Sequence, residues 1–287
     1  MPIPTEWISF ALSVAVFAVL ASAAVGDIRR REVHDWHWLA IGVCGIAVWL
    51  AMSFDRGMKW EYAVIAAGFA VILFDILWDS DRSLPVSVLI YGTVFLSFLI
   101  PYASSSSDSW VIAGAMAGVF YAVYLLMYAF GLLRGGADAK CMISLTIAFP
   151  VYPSFFGLPL IEVPGGPLPV IFVFSLAVLF LALLFSLTAV IYFLYRNAGK
   201  TKINRLALSG YIMNLDEAEK SHVWPMHDAE NGELVKIPVP EETEEIYARL
   251  REHGEKEIWV TPMIPFILPI LAATVFVALI GNPLFLI

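Results

Sequence analysis

The chain has 287 residues, 60% of them hydrophobic and only 15% charged. That balance leaves too little polar surface for a water-soluble domain of this length, and a net charge of -8 gives no reason to expect a nucleic-acid partner. Cys44 and Cys141 are the only cysteines, far apart in apolar surroundings, which excludes a disulfide framework and a cysteine-based zinc site.

Stretches nearly free of charge and long enough to span a ~30 Å hydrocarbon core, about 17 to 25 helical residues, recur along the chain. They fall at Ile8 to Val25, Trp38 to Phe54, Tyr62 to Trp78, Leu84 to Tyr102, Trp110 to Leu133, Cys141 to Phe156, Leu168 to Tyr195 and Pro262 to Ile287. Glu6 stands where a cleaved signal peptide would carry basic residues, so the first run reads as a permanent span. Irregular backbone cannot face lipid, which makes helices the economical way to bury these runs. The expected fold is an all-α integral membrane protein with about eight transmembrane helices and a small cytoplasmic cap. The sixth run is the weakest, because it is short and ends in Pro150 and Pro153, and a re-entrant or shortened helix is the alternative there.

Three regions follow: a membrane core over 1–195, an acidic cytoplasmic segment over 196–261, and a last transmembrane helix over 262–287. The middle segment holds thirteen acids against nine Lys and Arg. It opens with Arg196, Lys200, Lys202 and Arg205, a basic skirt suited to anionic headgroups. Asp216 to Pro240 reads as partly disordered, and Glu241 to Glu257 as an amphipathic helix with Ile246 and Leu250 on one face. Ile258, Trp259 and Val260 then read as a contact with the membrane surface.

Orientation follows from the basic residues near span ends. Arg29, Arg30, Arg31, Arg82, Arg134, Lys140, Arg196, Lys200, Lys202 and Arg205 collect on one side, against Arg56 and Lys59 on the other. The first side is expected to be cytoplasmic, in the plasma membrane of the cell.

Few polar groups remain for chemistry. No HExxH, GxSxG, Walker loop or GxGxxG occurs, and His222 with His227 reads as a solvated pair, so neither metal nor cofactor is expected. Asp75 lies within the third run about one turn from its end, where it can reach water beside Asp79, Asp81 and Arg82. Two aspartates have more distinctive settings. Asp27 closes the first span in Gly26-Asp27-Ile28-Arg29-Arg30-Arg31, and Asp138 follows the fifth in Gly135-Gly136-Ala137-Asp138-Ala139-Lys140. Four crossings separate them, so both return to the same face. Two carboxylates sharing a proton suit peptide hydrolysis, one as base on water and the other as acid on the carbonyl. Gly135, Gly136 and Ala137 would let backbone approach closely. Equally, Asp27 could pair with Arg31 at i,i+4, and Asp138 could cap an interfacial turn.

These two stretches resemble the signature of the archaeal preflagellin and prepilin peptidases, membrane aspartic proteases related to bacterial type IV prepilin peptidases. The family's first aspartate ends a helix ahead of a basic loop, and its second lies in Gly-x-Gly-Asp, often with a Lys two residues on. The resemblance implies that Asp27 and Asp138 are catalytic, with Gly135, Gly136, Ala137 and Lys140 as backbone and substrate support. Ala137 stands where that motif has its second glycine, and the interval of 138 − 27 = 111 residues is long for the family. Bacterial members add a zinc region with paired CxxC motifs, which this chain lacks, so cleavage alone is implied. The implied substrate is a membrane-anchored pilin-like or archaellin precursor with a short basic leader, cut on the cytoplasmic side. Glu241, Glu242, Glu244 and Glu245 could attract that leader or form a solvated helix face. An intramembrane protease of the presenilin kind is the alternative enzyme, disfavoured because Asp27 adjoins three arginines and no Pro-Ala-Leu occurs. A transporter or non-catalytic scaffold is the alternative outside enzymes.

Overall fold

A computed structural model of the chain describes residues 5–78, 81–133, 135–164, 173–199, 201–202, 204–230, 233–237 and 243–286. Asp79, Arg134, Lys200, Glu241 and Glu242 lie outside the described residues. The helices are α1 (Thr5–Arg30), α2 (Trp36–Asp55), α3 (Trp60–Leu77), α4 (Leu84–Ser104), α5 (Ser109–Ala129), α6 (Gly136–Ala148), α7 (Phe174–Ser186), α8 (Thr188–Asn197), α9 (Leu215–Ala218), α10 (Glu244–Glu252) and α11 (Ile267–Leu279). Among the described residues, five short strands interleave with the later ones: β1 (Tyr211–Asn214), β2 (Val223–Pro225), β3 (His227–Glu230), β4 (Glu233–Lys236) and β5 (Glu257–Pro262).

Among the described residues seven helical stretches are long and apolar enough to cross a bilayer: α1 to α5, the run of α7 and α8 over Phe174–Asn197, and α11 with the turn after it, Ile267–Leu286. The chain is thus a predominantly helical membrane protein, with one span of full length fewer than the eight apolar runs suggest. The exception is the sixth run. Its helix α6 has 13 residues, a length of about 20 Å that falls short of the hydrocarbon core. Pro150 and Pro153 follow directly, and proline offers no amide to extend a helix.

What α6 lacks in length it makes up in enclosure. Every residue from Cys141 to Ala148 is buried, so this part of α6 is enclosed on all sides, the pattern of a core helix. Its closest neighbour is α2. A Cβ on Gly45 would lie 2.6 Å from the Cα of Ala148, so only glycine allows this backbone approach. Between α2 and α5, Trp49 stacks on Trp110 at 4.5 Å with an interplanar angle of 11°.

The chain divides into two compact units, Met1–Ala182 with Phe266–Ile287, and Leu183–Pro265. The second corrects the expected cap in two respects. Asp216 to Pro240 is not simply irregular, since α9 and β2 to β4 fall in it. Ile258 to Val260 do not form a surface patch. They belong to β5, the centre of a three-stranded antiparallel sheet ordered β1-β5-β2. Ile258 and Val260 are buried with Tyr211, Leu215, Val223, Ile246, Tyr247 and Leu250, and Phe193 completes that core. The expected apolar face of the amphipathic helix is therefore buried against a sheet, while α10 itself is confined to Glu244–Glu252.

Candidate active site at Asp27 and Asp138

Helix α1 carries Asp27 in its last turn and stops after Arg30. The next residue, Arg31, adopts left-handed backbone at φ 59°, and its amide donates to the Asp27 carbonyl at 3.1 Å. Glycine is the favoured residue for such a helix end, so an arginine there carries a backbone cost of about 1 kcal/mol. The connection to α2 folds back on α1 through His37, whose Nδ1 lies 2.7 Å from the carbonyl of His34 and whose Nε2 lies 3.3 Å from the Ser22 hydroxyl.

The sequence did not point to the next partner. Helix α11 begins at Ile267, and the Ile267 amide donates to Asp27 Oδ2 at 3.3 Å. The first amides of a helix have no partner within it, and the positive end of the helix dipole favours a carboxylate. A residue 240 positions away in the chain thus donates to the Asp27 carboxylate, on which the Arg31 charge also acts.

Asp138 is the third residue of α6, after Gly135 at the N-cap position. Its side chain turns back over Gly135, whose amide donates to it, half of a capping box. This contact explains the first glycine of the motif. A Cβ on Gly135 would lie 2.5 Å from Asp138 Oδ2, whereas one on Gly136 would meet nothing nearer than Tyr128 Oη at 3.7 Å. Ala137 is partly buried, and its methyl group is accommodated. Asp138 stands outside the seven long spans. Burial, reinforced by the negative charge of Asp27, pushes its carboxyl up to about 7. The charge of Asp27 thus reaches Asp138 although the two are 111 residues apart in sequence, and Asp138 can hold a proton near neutral pH.

Lys140 lies two residues further on, and among the described residues it bonds to neither carboxylate. Its Nζ sits 2.9 Å from both carboxylate oxygens of Asp35, which ties α6 to the loop after α1. Lys140 is thus a strut between the two aspartate-bearing segments, and Asp35, which looked like a bystander, is its partner.

Asp75 is absent from the site. It is 4% exposed, with one carboxylate oxygen paired to Arg82 and the other accepting from the Tyr121 hydroxyl at 2.5 Å. Both oxygens being engaged, it does not reach water as expected. Among the described residues no group of three or more His, Cys, Asp and Glu is placed to hold a metal ion. His222 is exposed, and half-buried His227 is held below the usual imidazole range by burial and by Lys236.

Residues 202–282 match the family model described as the type II C-terminus of archaeal peptidase A24. The chain is 28% identical over 205 residues to a preflagellin peptidase of Methanocaldococcus jannaschii, covering 69% of this chain and 82% of that one. It is 22% identical over 275 residues to a preflagellin peptidase of Methanococcus voltae, covering 92% of each.

Proposed function

We propose that the chain, similar to archaeal preflagellin peptidases, is an aspartic endopeptidase of that family with Asp27 and Asp138 as its catalytic pair. The observation that carries this reading is that the charge of Asp27 reaches Asp138, whose carboxyl is pushed up to about 7 chiefly by burial and further by that charge. Asp27, facing the α11 amide and Arg31, acts as the base. Asp138, protonated, acts as the acid.

In the reaction a water oxygen attacks the scissile carbonyl carbon and gives its proton to Asp27, while Asp138 donates its proton to the carbonyl oxygen. Collapse of the tetrahedral intermediate returns the hydroxyl proton to Asp138 and passes the proton on Asp27 to the leaving amine. No group beyond the two carboxylates is needed for the proton balance. Gly135 lets the Asp138 carboxylate fold back, and Lys140 with Asp35 holds the two segments in register.

The substrate is a membrane-anchored preflagellin-like or pilin-like precursor, with a short basic leader ahead of an apolar helix. The excess of Lys and Arg at this end of the spans, ten against two at the other, supports cleavage on the cytoplasmic side of the plasma membrane. The core of 1–195 with the last helix over 262–287 then forms the catalytic membrane part, and 196–261 a cytoplasmic segment.

The test is shortening of such a precursor by the purified protein in detergent, followed by mass spectrometry. The wild-type chain should release the leader, and Asp27→Asn and Asp138→Asn should each fail to do so while remaining folded. Near wild-type cleavage by Asp27→Asn alongside an inactive Asp75→Asn would move the first carboxylate to Asp75 and overturn the assignment.

A further inference from the structure

Arg31 has two properties that the two-carboxylate chemistry leaves unexplained. Its backbone is left-handed at φ 59°, where a glycine would sit without cost. Its Nε and Nη1 are buried with no hydrogen-bond partner among the described residues. Arginine normally finds acceptors for such donors, because leaving a charged donor unmade in a desolvated place is costly. Both costs fall beside the candidate active site: the Arg31 amide donates to the Asp27 carbonyl at 3.1 Å, and its charge acts on the Asp27 carboxylate.

A strained backbone and donors with no partner among the described residues, both on one residue, point to a partner that arrives with a ligand. A peptide lying across two carboxylates has to be extended at the cleaved bond, and its carbonyl oxygens there are unpaired acceptors. They are neutral and suit a guanidinium, whereas the basic side chains of the leader would be repelled by it. Resting on the two-carboxylate reading, we propose that Arg31 is a substrate-binding residue whose buried Nε and Nη1 donate to main-chain carbonyl oxygens of the precursor next to the scissile bond.

The test measures binding apart from chemistry. A fluorescent synthetic precursor, basic leader plus apolar helix, is titrated into the full chain carrying Asp138→Asn, with and without Arg31→Gly. Loss of the donors should weaken binding about tenfold or more, while the unfolding temperature holds or rises, because glycine accepts φ 59° freely. Arg31→Lys, which keeps the charge with fewer donors, should fall between. Free guanidinium ion should restore part of the binding to Arg31→Gly and none to Arg31→Lys. Unchanged binding in Arg31→Gly overturns the proposal, and so does a drop in unfolding temperature without guanidinium rescue, which would make Arg31 structural. A lipid phosphate is the competing acceptor. If Arg31→Gly bound precursor normally but lost association with phosphatidylglycerol vesicles, the donors would belong to the bilayer and the proposal would fall. Cleavage by the Asp138→Asn chain would instead sink the two-carboxylate reading, and the binding comparison would still decide Arg31.

Discussion

The two ends of the helical unit treat charge in opposite ways. At the end where α2 gives way to α3, Lys59 and the Tyr62 hydroxyl both donate to Asp108 Oδ2, at 2.6 and 2.7 Å, and Ser105 donates to Glu61 at 2.6 Å. Burial pushes the Asp108 carboxyl up, but the hydrogen bonds from Lys59, Tyr62 and the Trp110 amide outweigh it and hold Asp108 below the usual carboxylate range. At the other end Asp138, buried and within reach of the Asp27 charge, is pushed up to about 7, and Arg31 keeps donors with no partner among the described residues. A polar cluster built for stability closes its hydrogen bonds on itself. One built for chemistry leaves some open, and the difference is more informative than the presence of charge at either end.

The sharpest way to break this contrast is to remove the open carboxylates. Asp27→Asn and Asp138→Asn should each lower cleavage by about a thousandfold or more, and the double variant should be little worse, because groups acting as one unit are not additive. A double variant much slower than either single one would mean two independent contributions instead of a pair.

The next largest effect should come from Gly135→Ala. Its Cβ would lie 2.5 Å from Asp138 Oδ2, so the carboxylate must swing aside, and a displacement of that order costs about a hundredfold in rate. Gly136→Ala and Ala137→Gly should stay near wild type. Equal losses from Gly135→Ala and Gly136→Ala would show that the motif serves a general need for small residues and not this one contact.

The pH profile sharpens the comparison further. Cleavage should decline as the pH rises above about 7, because Asp138 then loses the proton it donates. Stability follows the same proton. The folded carboxyl binds it more tightly than the unfolded chain, whose carboxyl titrates near ~3.9. The contribution of Asp138 is therefore complete below about 4, is lost as the pH rises toward about 7, and is flat above that. Thermal unfolding across that range should slope downward in the wild-type chain and flatten in Asp138→Asn; identical slopes would deny the raised proton affinity.

How much of this was legible in the sequence depends on what kind of group carries each contact. The two aspartates proposed as the pair stood out in the sequence because each sits in a short stretch with its own signals, arginines after Asp27 and small residues before Asp138. The Ile267 amide was not, because a backbone donor has no side-chain signature and the contact bridges 240 positions. The left-handed Arg31 was hidden for a related reason: arginine is not a turn residue, so nothing in Arg29-Arg30-Arg31 marks the third as different. The short α6 was announced by Pro150 and Pro153. The cap was misread at β5, where Ile258-Trp259-Val260 looks like an apolar run, although Glu257 and Thr261 flank an alternation that only a strand buries on one face.

Asp75 offers the counterpart to Asp138, a buried acid whose oxygens are both engaged. Its side chain is 3% exposed and that of Arg82 15%, so Asp75→Asn leaves a largely buried guanidinium without its counter-charge, a loss of about 3 kcal/mol or more. Unfolding should shift downward by that amount, while cleavage per folded molecule stays near wild type. A catalytic defect without a stability defect would place Asp75 in the chemistry.

The smallest effect should come from the strut. The Lys140 and Asp35 side chains are 21% and 40% exposed, so water and salt screen the pair, and such ion pairs are worth about 1 kcal/mol at most. Asp35→Asn and Lys140→Gln should therefore each slow cleavage by about fivefold or less, the same ~1 kcal/mol expressed as a rate, and together they should cost no more than one alone, since they remove a single interaction. Raising the salt concentration should narrow the gap to wild type for both, because the wild-type pair is itself weakened. The carboxylates behave differently here: salt restores nothing when a proton donor is missing. If Asp35→Asn were as inactive as Asp138→Asn at every salt concentration, Asp35 would be part of the proton balance, and the site would have to be rebuilt as three carboxylates with Lys140 as their counter-charge.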